Sequence, residues 1–103
     1  MNSRKRKENV HKAKKRKEGR YKSAAEKFLL AIGIDTSTGI ENIDILTDDM
    51  ITNVDGMKNC TILNTEIAMH YLVKHNRVSF GFVDIVLNFA KTELGIELDD
   101  VVF

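Results

Sequence analysis

The sequence predicts an all-α protein, a small domain of three to five helices over residues 21–103 preceded by a basic N-terminal arm, partly disordered or helical, over residues 1–20. Three observations lead there. Residues 1–27 carry 12 Lys and Arg against 3 Asp and Glu, a net +9, whereas residues 28–103 carry 4 against 12, a net −8. Apolar residues then recur at helical spacing, as in Tyr21, Ala25, Phe28, Leu29 and Ile32, which share one face. The 103-residue chain contains no proline, so its helix ends must be set by glycine and by capping side chains. A chain of this length holds one modest core and no more.

Within the arm, residues 4–20 are good helix formers with only Val10 and Ala13 standing in a charged field. Mutual repulsion of its cations predicts a segment that becomes helical when a polyanion neutralises it. The first amphipathic helix follows and is expected to end at Gly33. Asp35 to Gly39 has the small polar residues of a loop. Beyond it, Ile43, Leu46, Met50 and Val54 fit a helical stripe, and Thr47 before Asp48 and Asp49 resembles an N-cap with acids in the first turn. One or two short helices are therefore expected before Asp55-Gly56. Asn64 or Thr65 is the expected cap of a helix running to about Asn76. Ser79 is the expected cap of another from Phe80 to Leu94, stopped by Gly95, and Glu97 to Val102 can add a last turn.

Several function classes are disfavoured. No apolar stretch approaches the roughly 20 residues of a membrane span. Neither an export leader nor a second cysteine accompanies Cys60, which points to a reducing compartment, the cytoplasm. His70 and His75 lie five apart, about 140° around a helix, so their imidazoles do not converge on a metal. With no glycine-rich phosphate loop and no cysteine pair at ligand spacing, neither an enzyme nor a cofactor is expected, and the histidines, Cys60 and the acid pairs Asp48-Asp49 and Asp99-Asp100 read as structural or solvated groups.

The arm is the stronger signal. Arg4, Lys5, Arg6, Lys7, Lys12, Lys14, Lys15, Arg16, Lys17, Arg20 and Lys22 form the electrostatic footprint of a protein that contacts DNA or RNA phosphates. Tyr21 is the arm's only ring, so base stacking and sequence readout are not expected. Competing readings are a solvated tail and, in a eukaryotic cell, an import signal at Lys14 to Lys17. The helices around Asn76 to Ser79 do not suit groove recognition, because the second is apolar with Asp84 on it and Lys91 as its only cation.

Apolar excess marks the rest of the chain. The helix from Phe80 leaves only a narrow polar stripe of Asp84, Asn88 and Lys91. The preceding one shows Ile67, Ala68, Tyr71 and Leu72 on one face and Met69 with Val73 on a second. A second apolar face suggests a protein partner, with Met69, Val73, Phe80 and Phe82 as contacts; the alternative is that both faces pack beneath the first helix and residues 40–54.

The run Glu66-Ile-Ala-Met-His-Tyr-Leu-Val-Lys-His-Asn-Arg-Val-Ser-Phe, then Val83-Asp-Ile-Val-Leu-Asn-Phe-Ala and Gly95-Ile-Glu-Leu-Asp-Asp-Val-Val, resembles the late-transcription coactivators of T-even-type phages over about residues 64–103. The resemblance implies a small helical protein that binds the β-subunit flap of host RNA polymerase through an apolar surface, within the host cytoplasm. It further implies an acidic-apolar C-terminus, here Leu98, Asp99, Val102 and Phe103, docking on a sliding clamp. From the residues alone, the end of the chain can equally fold back on the last helix. The functional expectation is a non-enzymatic transcription accessory protein, the alternative a ribosome- or RNA-associated basic protein.

Overall fold

Apolar stripes at helical spacing produce three α-helices in the computed structural model, which describes residues 19–98. Helix α1 covers residues 19–31, α2 Ile62–Lys74 and α3 Phe80–Glu93. The fold is all-α; among the described residues the one β feature is a parallel bridge between Leu46 and Val78. Gly19 and Arg20 are already helical, so α1 takes in the last two residues assigned to the arm. Arg4 to Lys17 and the final turn expected through Val102 lie, wholly or from residue 99 on, outside the described residues.

Left-handed residues end the helices. After α1, Gly33 has φ +87°, and the Ile34 and Gly33 N–H groups donate to the Leu29 and Leu30 carbonyls at 2.9 and 3.1 Å. After α2, Asn76 has φ +52°, and the Arg77 and Asn76 N–H groups donate to Leu72 and Val73 at 2.9 and 3.0 Å. Both are Schellman closures, which satisfy carbonyls that a helix end leaves without partners. The helix expected to reach Asn76 thus stops because Asn76 turns left. Gly95, with φ +66°, follows α3, and the Ile96 N–H returns to Ala90 at 2.9 Å.

Between α1 and α2 the expected short helices are present as 3₁₀ turns, and Thr47 is the N-cap of one with Asp48 and Asp49 in its first turn as expected, but no continuous helix carries the Ile43–Leu46–Met50–Val54 stripe. Three 3₁₀ turns stand there instead, at Ile40–Asn42, Asp48–Met50 and Val54–Asn59, with extended backbone between them. Backbone hydrogen bonds explain the difference, because the groups an α-helix would pair internally are taken by other elements. Leu46 donates to Arg77 at 2.7 Å and accepts from the Ser79 N–H at 2.8 Å, while the Thr52 and Asn53 N–H groups both donate to the Ile32 carbonyl. Thr52 Oγ1 also donates to the Gly33 carbonyl. The segment serves as a cap on α1 and a lid on the core, into which it sends Ile40, Leu46 and Met57. Gly56 is required here, since a Cβ would overlap the Ala31 carbonyl oxygen.

The cap of α2 is Thr61 rather than Asn64 or Thr65. Its Oγ1 accepts from the Asn64 N–H at 3.0 Å. Thr65 is buried one turn later with its hydroxyl donating to the Thr61 carbonyl, and the Asn64 amide donates to Ala24 of α1. Ser79 caps α3 as expected, accepting from the Phe82 N–H at 3.2 Å. Phe28, Leu29 and Ile32 of α1, Ala68, Met69 and Leu72 of α2, and Phe82, Val83, Val86 and Ala90 of α3 meet in one core.

Candidate protein-docking groove

An amphipathic helix in a small domain buries one face, and the apolar side chains left over show where that face stopped. In α3, Phe82 is fully buried, yet Phe80, in the same first turn, remains 84% exposed. Phe80 forms a wall of an open groove of about 390 Å³, completed by Ile45, Val73, Asn76, Val78, Ser79 and Val83. Three elements build it: the last turn of α2, the first turn of α3, and the extended strip around Ile45 that the Leu46–Val78 bridge fixes to the interhelix turn. Ile45 is itself 58% exposed. The geometry suits insertion of an apolar side chain rather than chemistry, since Asn76 and Ser79 are the polar residues of the lining and Ser79 Oγ is engaged by the Phe82 N–H.

Charged residues of both signs adjoin the lining residues in sequence. Asp44 adjoins Ile45, and Asp84 lies one turn beyond Phe80; both are exposed. Asp48 reaches over the first turn of α3, close enough that a Cβ on Gly81 would sit 3.0 Å from its Oδ1. A carboxylate at a helix N-terminus is favourably placed against the macrodipole. Next to it, the Thr47 hydroxyl donates to Asp49, and the Thr47 N–H contacts the Met50 sulfur at 3.4 Å, closing the local turn. Lys74 follows Val73 at the end of α2, and Arg77, between Asn76 and Val78, donates from its guanidinium to the Ile43 carbonyl at 3.2 Å.

Four of the expected partner contacts divide sharply. Val73 and Phe80 line the groove. Met69 and Phe82 do not contribute to a surface, because each is fully buried in the core, so the second apolar face of α2 is a packing face at Met69 and a groove wall at Val73. In the tail, Leu98 is 1% exposed and belongs to the core, which corrects its assignment to a docking peptide. Asp99, Val102 and Phe103 lie outside the described residues. Ile45 and Val78 were not anticipated; reading Leu46 within a helical stripe concealed that this strip is extended.

Of the expected phosphate contacts, Arg20 is exposed on α1. Lys22 is not a free cation, since its Nζ lies 2.9 Å from Glu41. That hydrogen-bonded pairing raises the lysine pKa and lowers the Glu41 carboxyl below its ordinary range. Asp35 is likewise held down, by the Ser37 N–H donating to it at 2.9 Å. Burial pushes the Cys60 thiol up, which disfavours the thiolate. His75 packs against Tyr71 with ring centroids 4.4 Å apart. Among the described residues no group of three or more His, Cys, Asp or Glu is placed to hold a metal ion, and no helix is long and apolar enough to cross a membrane.

Comparison with known proteins brings no further evidence: no family model matches the sequence, and no curated protein or solved structure is significantly similar to it.

Proposed function

We propose that the protein is a non-enzymatic transcription accessory protein of phage type, which binds host RNA polymerase at the flap of its β subunit through the Phe80 groove and touches nucleic-acid phosphates with its basic arm. The observation that carries the reading is Phe80, an aromatic side chain left 84% exposed beside an apolar groove in a domain that buries its other core-facing rings. Aromatic anchors of this kind dominate the energetics of protein interfaces. The net +9 of residues 1–27 beside the net −8 of residues 28–103 supports a division of labour, one end for a polyanion and the other for a protein. Docking on a sliding clamp is not supported at Leu98, the first apolar residue of the tail, because its side chain lies in the core.

Purified bacterial RNA polymerase core enzyme and ribosomal subunits provide the test. The intact chain should bind the polymerase, and Phe80→Ser should weaken that binding by about 2 kcal/mol or more, the range of an interface hot spot. Binding to ribosomal subunits alone would favour the RNA-associated alternative. For the arm, deleting residues 2–18 should remove the salt dependence of duplex DNA binding, to which each phosphate contact contributes a slope of about −0.9 in log K against log salt.

A further inference from the structure

Most cations of the folded body are already engaged. Lys22, Lys58 and Lys91 pair with Glu41, Asp55 and Glu97, and the Arg77 guanidinium donates to the Ile43 carbonyl. Among the described residues the exposed cations outside these contacts are Arg20, Lys27 and Lys74. Two of the three stand on α1. Arg20 and Lys27 are seven positions apart, so at about 100° per residue they point within about 20° of each other. Ser23, also exposed, lies between them, whereas Ala24, Ala25, Phe28 and Leu29 are buried on the opposite side. Glu26, the acid of α1, falls about 120° from Arg20 and acts on Lys22, which is about 160° from Arg20. One outer face of α1 therefore carries two cations and no carboxylate. Gly19 opens it to solvent, since a Cβ there would meet nothing within 4 Å.

We infer that Arg20 and Lys27 form a phosphate-contact face on α1, which takes up the nucleic-acid backbone that the basic arm gathers. The inference rests on the proposed nucleic-acid role of the arm. It extends that site into the folded body as far as Lys27 and leaves Lys22 out while Glu41 holds it. Continuity in sequence supports the assignment, because Lys12 and Arg16 precede Arg20 at four-residue steps. Spacing supports it as well: seven residues rise about 10 Å along a helix, and a DNA strand advances about 3.4 Å per phosphate, so the two side chains meet different phosphates. Such contacts fix position on the backbone and carry no base readout. Two cations do not hold a polyanion alone against the net −8 of residues 28–103, so the face acts only once the arm has bound.

The test uses the full chain with duplex DNA and duplex RNA of equal length, titrated from about 50 to about 200 mM salt. Whichever duplex the intact chain holds more tightly names the polymer, and the variants are read on it. On DNA, Arg20→Gln and Lys27→Gln should each reduce the slope of log K against log salt by about 0.9. The loss of affinity across that range should then shrink about 3.5-fold for one substitution and about twelvefold for both. Melting temperatures should not change, and Lys27→Arg, which keeps the charge, should keep the slope. Lys74→Gln removes the same charge from α2 and should leave the slope as it is. A parental slope in the double variant, or an equal loss in Lys74→Gln, overturns the inference and leaves the role of the arm standing. Absence of salt-dependent binding of the intact chain to either duplex overturns the reading of the arm and this inference together.

Discussion

Phe82 and Phe80 enter the first turn of α3 two residues apart, and they divide the molecule into two regions with opposite uses of the same chemistry. Phe82 belongs to the closed region, where α1, α2, the 3₁₀ turns, α3 and Leu98 surround a core whose members leave almost no surface to water. Phe80 belongs to the open region, where the last turn of α2, the first turn of α3 and the strip at Ile45 line the groove. Two residues along a helix are about 200° of rotation, so one ring must point away from whatever the other packs against. What the contrast teaches is how two exposed apolar residues are brought together: Ile45 and Phe80 meet Val73 and Val78 because the Schellman turn at Asn76 and the Leu46–Val78 bridge fix the strip there, whereas the other exposed apolar side chains, Leu30, Met50, Ile62, Leu63 and Ile85, lie outside the groove.

The sharpest way to break the contrast is to truncate both kinds of ring. Phe28→Ala or Phe82→Ala should cost about 3–5 kcal/mol, since each deletes a fully buried phenyl and leaves a cavity, a large share of the stability of so small a domain. Phe80→Ala should stay within about 0.5 kcal/mol, as surface substitutions do. Chemical denaturation with equal m-values checks both. A destabilised Phe80 variant would mean that the open region is closed in solution.

Leu98 extends the test to the end of the chain. Leu98→Ala should cost about 2–5 kcal/mol because its side chain lies in the core at 1% exposure. Loss of partner affinity at unchanged stability would instead return Leu98 to a docking peptide. The helical parts of this picture were legible in the sequence, because Tyr21 to Ile32 and Phe80 to Leu94 carry periodic apolar residues with Ser79, Gly33 and Gly95 as boundaries. Of residues 34–61, the short turn capped by Thr47 was legible and the rest was not. Their local pattern suits a helix, and the competing partners of their backbone, the Arg77 carbonyl, the Ser79 N–H and the Ile32 carbonyl, are remote in sequence. The groove was half legible for the same reason: Val73 and Phe80 follow from helical faces, whereas Ile45 and Val78 join them through a tertiary bridge. Met69 and Phe82 were misjudged because periodicity reports that a face is apolar and does not report which neighbour covers it.

Ser79 stands at the boundary of the two regions, as cap of α3 and as part of the groove lining. Ser79→Ala should cost about 1 kcal/mol by freeing the Phe82 N–H, and Ser79→Asp should restore most of that loss through an equivalent acceptor. Thermal melts of the three proteins measure it. A full loss in the aspartate variant would show that space in the lining, rather than the cap, controls this position.

The smallest effect expected lies in the closed region, at the Lys22–Glu41 pair that ties α1 to the first 3₁₀ turn. Hydrogen bonding to Lys22 lowers the folded Glu41 pKa below its ordinary 4.5, and the same contact raises Lys22 above its ordinary 10.5. The carboxylate contribution is therefore present above the ordinary carboxylate range and lost as pH falls through the lowered value. The lysine contribution is present below its ordinary value and lost as pH rises through the raised one. The pair thus stabilises the fold across neutral pH, and exposure keeps the effect small. Glu41→Gln should lower the melting temperature slightly at pH 7, and the difference from the parent protein should disappear in acid once the folded parent's Glu41 is protonated. A second readout ties the pair to the arm: freeing Lys22 should steepen the salt slope of DNA binding by up to about 0.9, the contribution of one added phosphate contact. A difference in melting temperature that persists in acid would mean the glutamate acts through packing against α1 and not through its charge. An unchanged salt slope would remove Lys22 from the phosphate-binding set altogether, leaving the polyanion end of the molecule to begin at Arg20.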